Sequence, residues 1–165
     1  MKSLIVVFSY HHNNTQKVAE VFAKVLDAQI KTPQQTSPEE IQQFDLVGFG
    51  SGIYAGKHHE SLIDLADKLQ PVTDKKAFIF STSGMPVAVS GQQRLEAYTR
   101  KCHKPLKEKL IPKGYVIIDE FGCAGFNTNK FLKYFGGINK GRPNADDLKH
   151  AEDFARNLKQ NLQKK

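Results

Sequence analysis

The 165-residue chain is short of cysteine: Cys102 and Cys123 are its only two. They lie in different segments and make no metal-spacing pattern, which fits plain small residues in a reduced cytoplasm. No apolar run reaches the roughly eighteen residues that a membrane-spanning helix needs. No small-residue cleavage site follows "MKSLIVVFSY", so this opening reads as a first strand and not as a signal peptide. There is no Gly-Lys-Ser/Thr loop, which excludes triphosphate hydrolysis of the Walker kind, and no dinucleotide fingerprint. Acidic residues are missing from the end of the first apolar run, where Phe8, Ser9 and Tyr10 stand. A phospho-acceptor receiver site needs them there, so that class is excluded too.

What is present alternates. "LIVVFS" (4–9), "DLVGFG" (45–50), "KAFIFS" (76–81) and "YVIIDEF" (115–121) are apolar runs of the kind that a strand buried on both faces requires. "AQIKT" (28–32) reads as a short edge strand. Between these runs lie amphipathic stretches. Val18, Val21, Phe22 and Val25 recur at helical spacing after a cap at Asn14 or Thr15. "SPEEIQQF" (37–44) has Ser37 as cap, Pro38 at the first helical position and Glu40 to close a capping box. Leu62, Leu65, Ala66 and Leu69 mark a third helix, and residues 90–110 a fourth, in which Pro105 is expected to kink or break the chain. A last helix starts at Asn144 and turns Leu148, Ala151, Phe154, Ala155, Leu158 and Leu162 inward, with Asp146 and Asp147 in its first turn and Lys164 and Lys165 at its end, as the helix dipole favours. The pattern predicts one α/β domain over 1–165, a three-layer doubly wound five-stranded parallel sheet. Ligands of such sheets bind beyond the carboxyl ends of the strands. The functional loops should therefore be 9–15, 50–59, 81–89 and 122–143.

The first of these, "SYHHNNT", enters a helix N-terminus, where free N–H groups attract an anion. Ser9, Asn13, Asn14 and Thr15 add short neutral donors. The second carries Gly50, Gly52 and Gly56, read as sites of unusual backbone freedom, around Tyr54, an aromatic suited to stacking on a planar ring. The third, "STSGMP", offers Thr82, Ser83, Gly84 and the soft side chain of Met85. The fourth is long and contains "TNKFLKYFGG", a short helix capped by Thr128 and ended by Gly136–Gly137, with Phe131, Leu132 and Phe135 on one face and Lys130 and Lys133 beside it. That face reads either as a satellite of the core or as a membrane or partner contact. Together the loops describe a phosphate cradle joined to an aromatic slot.

On "FSYHHNNT", "FDLVGFGSGIYAG", "FIFSTSGMP" and "GGINKGRPNADDLKHAEDFA" the chain resembles the flavodoxin family over essentially its whole length. The resemblance implies strand order 2-1-3-4-5 and non-covalent FMN held by the loops after the first, third and fourth strands. Its phosphate would meet Ser9, Tyr10, His11, His12, Asn13, Asn14 and Thr15. Its ring would meet Ser51, Gly52, Ile53, Tyr54, Ala55 and Gly56 on one side and Thr82, Ser83, Gly84 and Met85 on the other. Tyr54 would stack on the flavin, and the peptide that responds to flavin reduction would fall near Ala55–Gly56. Four features depart from the family pattern. The first loop is a residue longer and carries His11 and His12, Asn13 stands in place of Gly, and no aromatic lies between Phe80 and Tyr98. The fourth is charge: residues 1–99 carry net −1 and residues 100–165 net +8, whereas the family is typically acidic.

The resemblance implies an electron carrier with a redox partner protein. The segment "SGIYAGKHHESL" is also similar to the flavodoxin-like protoporphyrinogen oxidases, so an FMN-dependent oxidoreductase acting on a quinone or porphyrinogen is the alternative. A second alternative is a binding module that kept the fold and lost the flavin. The basic half would meet an acidic partner or a membrane surface, or simply form a solvated helix face; nucleic acid is not the expected partner. Two His–His pairs, at 11–12 and 58–59, raise zinc as a minor reading and the tuning of flavin potential with pH as a stronger one.

Overall fold

The apolar runs pair into a parallel sheet because neighbouring strands are joined by helical crossovers, which only a parallel arrangement accommodates. In the computed structural model, which describes residues 1–164, the sheet has the order β2-β1-β3-β5-β6, and β4 pairs only with β3. The strands are β1 (Ser3–Phe8), β2 (Ala28–Lys31), β3 (Leu46–Tyr54), β4 (Lys57–His58), β5 (Lys75–Ser83) and β6 (Tyr115–Ala124). With the small antiparallel β4 set aside, this is the expected 2-1-3-4-5 order of five parallel strands. The helices are α1 (Asn14–Leu26), α2 (Pro38–Ile41), α3 (Glu60–Lys68), α4 (Val87–Ser90), α5 (Gln92–Leu110) and α6 (Ala145–Gln163). Lys165 and the Lys130 side chain, both part of the sequence reading, lie outside what is described.

Strand residues alternate between two cores. Leu4, Val6, Val47, Phe49, Ala77 and Ile79 face α3 and α5, packing with Leu62, Leu65, Leu106 and Leu110. Ile5, Val7, Phe78 and Phe80 face α1 and α6, packing with Val18, Phe22, Ala151, Ala155 and Leu158. The second layer is aromatic. Phe22 meets Phe78 and Phe80 edge-on at ring-centroid distances of 5.5 and 5.1 Å, the geometry that ring quadrupoles favour. Gly48 and Gly50 leave room for it. A Cβ on Gly48 would lie 2.4 Å from Phe78 Cζ, and one on Gly50 2.2 Å from Phe80 Cζ.

Several local expectations are corrected. The cap position of α1 is Asn13, in the left-handed region (φ 52°) with no side-chain cap bond; the hydroxyl of Ser9 accepts the Gln16 N–H at 3.2 Å instead. Asn14 and Thr15 are thereby freed to point inward. At α2, Ser37 accepts from Glu40 N as expected, but no capping box closes, because the Glu40 carboxylate pairs with Lys31. Pro105 does not break α5, which is continuous. The carbonyl that Pro105 leaves without a donor belongs to Lys101 at an exposed position, where water can satisfy it, while buried Leu95, Cys102, His103, Leu106 and Leu110 hold both halves to the sheet. Gly91 (φ 76°) separates α5 from the one-turn α4. Between Ala77 and Phe78 the pairing of β5 with β6 slips by one residue, a bulge that twists the sheet edge.

Part of the basic surplus has a structural use. Lys113 Nζ donates to the carbonyls of Ala66, Asp67 and Leu69 at the end of α3. Lys159 Nζ donates to Val25 O near the end of α1. Positive charge at helix C-termini is favourable for both hydrogen bonding and the dipole.

Candidate functional site

The carboxyl ends of β1, β3 and β5 converge, and the first loop shapes their meeting point. His12 and Asn13 both adopt positive φ (54° and 52°), turning the chain sharply so that α1 begins with its N-terminus aimed across the strand ends. Thr15 Oγ1 lies 2.8 Å from Thr82 Oγ1, tying the helix to the third loop. Asn14 Nδ2 donates to the carbonyl of Phe126 at 2.8 Å. Asn14 Oδ1 and Ser83 Oγ are buried with no partner. Ser9, Asn14, Thr15, Thr82 and Ser83 thus line one narrow cleft of about 40 Å³, shared with Gly52, Tyr54, Gly84 and Gly125.

The second loop is a hairpin. β3 runs on to Tyr54, turns through Ala55 and Gly56 at φ 49° and 79°, and returns as β4 with Tyr54 opposite Lys57. Two consecutive positive-φ residues give the turn whose twist matches a two-residue hairpin. Only Gly56 of the three glycines expected to supply backbone freedom has positive φ; Gly50 and Gly52 are extended strand residues. The Tyr54 ring lies back over Gly52, where an added Cβ would meet its hydroxyl oxygen at 3.0 Å, and burial pushes the phenol pKa up. Phe8 stacks on His59 at 3.7 Å, and Tyr54 meets the same imidazole edge-on at 5.3 Å. His59 Nδ1 accepts the Ser61 N–H, capping α3. Beside the hairpin opens a groove of about 520 Å³ walled by Phe8, Tyr10, Tyr54, Ala55 and residues 57–60. A larger groove of about 720 Å³ between α1 and α6 receives none of these loops.

The fourth loop closes over the first. The Thr128 N–H donates to His11 Nε2 at 3.2 Å, and Thr128 Oγ1 lies 3.1 Å from that nitrogen and 2.8 Å from His12 Nε2. The backbone N–H can only donate, so His11 Nε2 is an acceptor and His11 is neutral; His12 then donates to the hydroxyl. His12 also packs on Phe126 at 4.5 Å. Asn139 Nδ2 donates to Met85 O at 2.7 Å and so clips the third loop. Thr128 is therefore a partner of the histidines and not a helix cap; residues 130–135 form a 3-10 turn after Asn129, ended by Gly136 (φ 80°). Its apolar face is not a satellite core, since Phe131, Tyr134 and Phe135 are 63%, 77% and 82% exposed.

Of the seventeen residues that the sequence marks, the cleft and groove gather Ser9, Tyr10, His11, Asn14, Thr15, Gly52, Ile53, Tyr54, Ala55, Thr82, Ser83 and Gly84. His12, Asn13, Gly56 and Met85 stand outside these linings. Ser51 is turned away from both. Its hydroxyl accepts the His59 N–H at 3.0 Å and lies 2.9 Å from His58 Nδ1. Sequence reasoning missed Phe126, Asn127 and Asn129; the length of the fourth loop was the available signal.

Beneath the strand ends lies a buried polar cluster. His103 Nε2 is 2.8 Å from Ser81 Oγ, and its Nδ1 is 2.9 Å from Glu120 Oε2. Lys107 Nζ pairs with the other Glu120 oxygen at 2.5 Å. The His58 and His103 rings lie 4.9 Å apart. Burial lowers both imidazole pKa values, His58 strongly, while the Glu120 carboxylate opposes the shift at His103. Among the described residues no three His, Cys, Asp or Glu side chains gather to hold a metal ion, and no helix is long and apolar enough to cross a membrane.

Known proteins share this frame. A family model described as a flavodoxin domain matches residues 5–122. An uncharacterized protein of Methanocaldococcus jannaschii is 46% identical over 161 residues, spanning 98% of this chain and all of its own. Among solved structures, flavodoxin 2 of Bacillus cereus superposes with a TM-score of 0.66 at 16% identity, covering 94% of this chain and 95% of its own. A Fusobacterium nucleatum flavodoxin bound to flavin mononucleotide gives 0.64 at 12% identity, over 98% and 99%. The sheet order, the loops at its carboxyl edge and the family match agree: this chain belongs to the flavodoxin domain family.

Proposed function

We propose that this protein binds FMN without a covalent bond and passes electrons to and from a protein partner in the cytoplasm. The observation that carries the reading is the buried, unpartnered Ser83 hydroxyl in a cleft otherwise built of Ser9, Asn14, Thr15 and Thr82 at a helix N-terminus. This is a neutral donor set suited to phosphate oxygens, and an unsatisfied buried hydroxyl costs stability unless a ligand uses it. Gly52, Gly84 and Gly125 keep the cleft walls to backbone thickness. The groove next to it falls in the size range of small-molecule sites.

Bound FMN would supply the electron chemistry, and the chain would hold and tune it. Ser9, Thr15, Thr82 and Ser83 would hold the phosphate. The Tyr54 ring, swung off Gly52, would cover the ring system and shield it from water. Phe131, Tyr134 and Phe135, exposed beside Lys133, would dock an acidic redox partner.

The test is a fluorescence titration of FMN with the flavin-free protein. Saturable quenching at one flavin per chain is expected. Flavin fluorescence that the protein leaves unchanged would remove the reading in favour of a flavin-free binding module. A flavin enzyme is the second reading, favoured by the open groove beside the hairpin; NAD(P)H oxidation with and without added quinone separates it from a carrier.

A further inference from the structure

His58 and His103 are the two most deeply buried ionisable imidazoles, at 1% and 0% exposure, and neither lines the phosphate cleft. They sit where the β3 and β5 ends meet: Ser51 and Ser81 are register partners, and each binds one of the two histidines. The residues that follow, Gly52 and Thr82, line the cleft. The cluster therefore lies one residue below the cleft lining, on the α5 side of the sheet.

Its hydrogen bonds fix the protons. The Glu120 carboxylate only accepts, so neutral His103 carries its proton on Nδ1 and Nε2 accepts the Ser81 hydroxyl. A second proton has one place to go, His103 Nε2, because that imidazolium would keep Glu120 as its counter-ion. His58 has no carboxylate, and its Nε2 is buried without a partner. With the rings 4.9 Å apart, a proton on one repels a proton on the other. The other groups around the pair do not change this. Lys107 already pairs with Glu120. Burial keeps the Cys102 thiol protonated. Lys57, His59 and Glu60 stand on the groove side of His58.

We propose that His58 and His103 form a one-proton store beside the FMN site, empty when the flavin is oxidised and filled on His103 Nε2 when reduction adds negative charge to the site. This rests on the FMN reading. The electrons come from an external reductant, dithionite in the test, and the proton from solvent. An N–H bond forms at Nε2, and the Ser81 hydroxyl turns from donor to acceptor. By Coulomb's law at an effective dielectric of about 20, one unit charge at a separation of about 10 Å is worth about one pKa unit.

The experiment is an NMR titration of ¹⁵N-histidine-labelled, FMN-loaded protein across pH 5–8, oxidised and then dithionite-reduced. The His103 pKa is expected to rise by about one unit on reduction, with His58 neutral in both states. The midpoint potential should depend more steeply on pH between the two His103 values. Glu120→Gln, at a partly exposed position, should lower the His103 pKa in the flavin-free protein as well, a readout independent of FMN. FMN that binds and is reduced while the His103 titration stays put overturns the store alone. His58 taking the proton first also overturns it. FMN that does not bind overturns the flavin reading and the store with it.

Discussion

Thr128 gives its backbone N–H to His11 Nε2, 3.2 Å away and 117 residues earlier in the chain. This bond exists only with His11 neutral, and burial together with the neighbouring His12 lowers the His11 pKa accordingly. A depressed folded-state pKa means that the contact is fully present above the unfolded value of about 6.5 and is lost as pH falls through the lower folded value. The protection factor of the Thr128 amide, its intrinsic exchange rate divided by the observed one, should therefore fall on acidification. In His11→Ala this protection should be low at every pH. Protection in wild type that is flat with pH would contradict this.

Ser83 should matter to ligand and not to fold. Its hydroxyl has no partner in the protein, so Ser83→Ala should leave the urea midpoint unchanged or slightly raised. The same change should weaken FMN by about tenfold, the worth of one hydrogen bond. Riboflavin, which lacks the phosphate, should bind both forms equally. Equal losses for the two flavins would place Ser83 elsewhere than at the phosphate.

Gly50 is a packing residue. In Gly50→Ala the new methyl would stand 2.2 Å from Phe80 Cζ, and the ring is locked against Phe22. Overpacking of this kind costs about 1–3 kcal/mol or more. Chemical denaturation should show a lower midpoint at unchanged slope.

Ala55 carries φ 49°, a region that a Cβ disfavours. Ala55→Asn converts the turn to Asn-Gly, the sequence that two-residue hairpins prefer. It should stabilise the chain by about 0.5–1 kcal/mol, seen as a higher melting temperature.

The layers, the strand order and most of the cleft were legible in the sequence because they follow from periodicity and from loops placed after strands. Pro105 misled because the rule for proline concerns one hydrogen bond, whereas the buried stripe from Leu95 to Leu110 decides whether the helix continues. Gly50 misled in another way: its meaning is the Phe80 ring on the next strand, and no local pattern shows that. Thr128 reads locally as a cap, and only the tertiary fold delivers His11 and His12 to it. His103 and Glu120 were invisible as a pair because they sit on a helix and a strand whose facing could not be read from either alone.

The Thr128–His11 contact also orders events in time. The sheet can pair from β1 to β6 without it, yet the roof of the cleft waits on residues more than a hundred positions downstream. Closing so large a loop is slow relative to local structure. Flavin capture is therefore expected late in refolding: in stopped-flow experiments, quenching of added FMN should lag behind the recovery of far-ultraviolet dichroism, and the lag should lengthen when the contact that holds the roof is removed by His11→Ala.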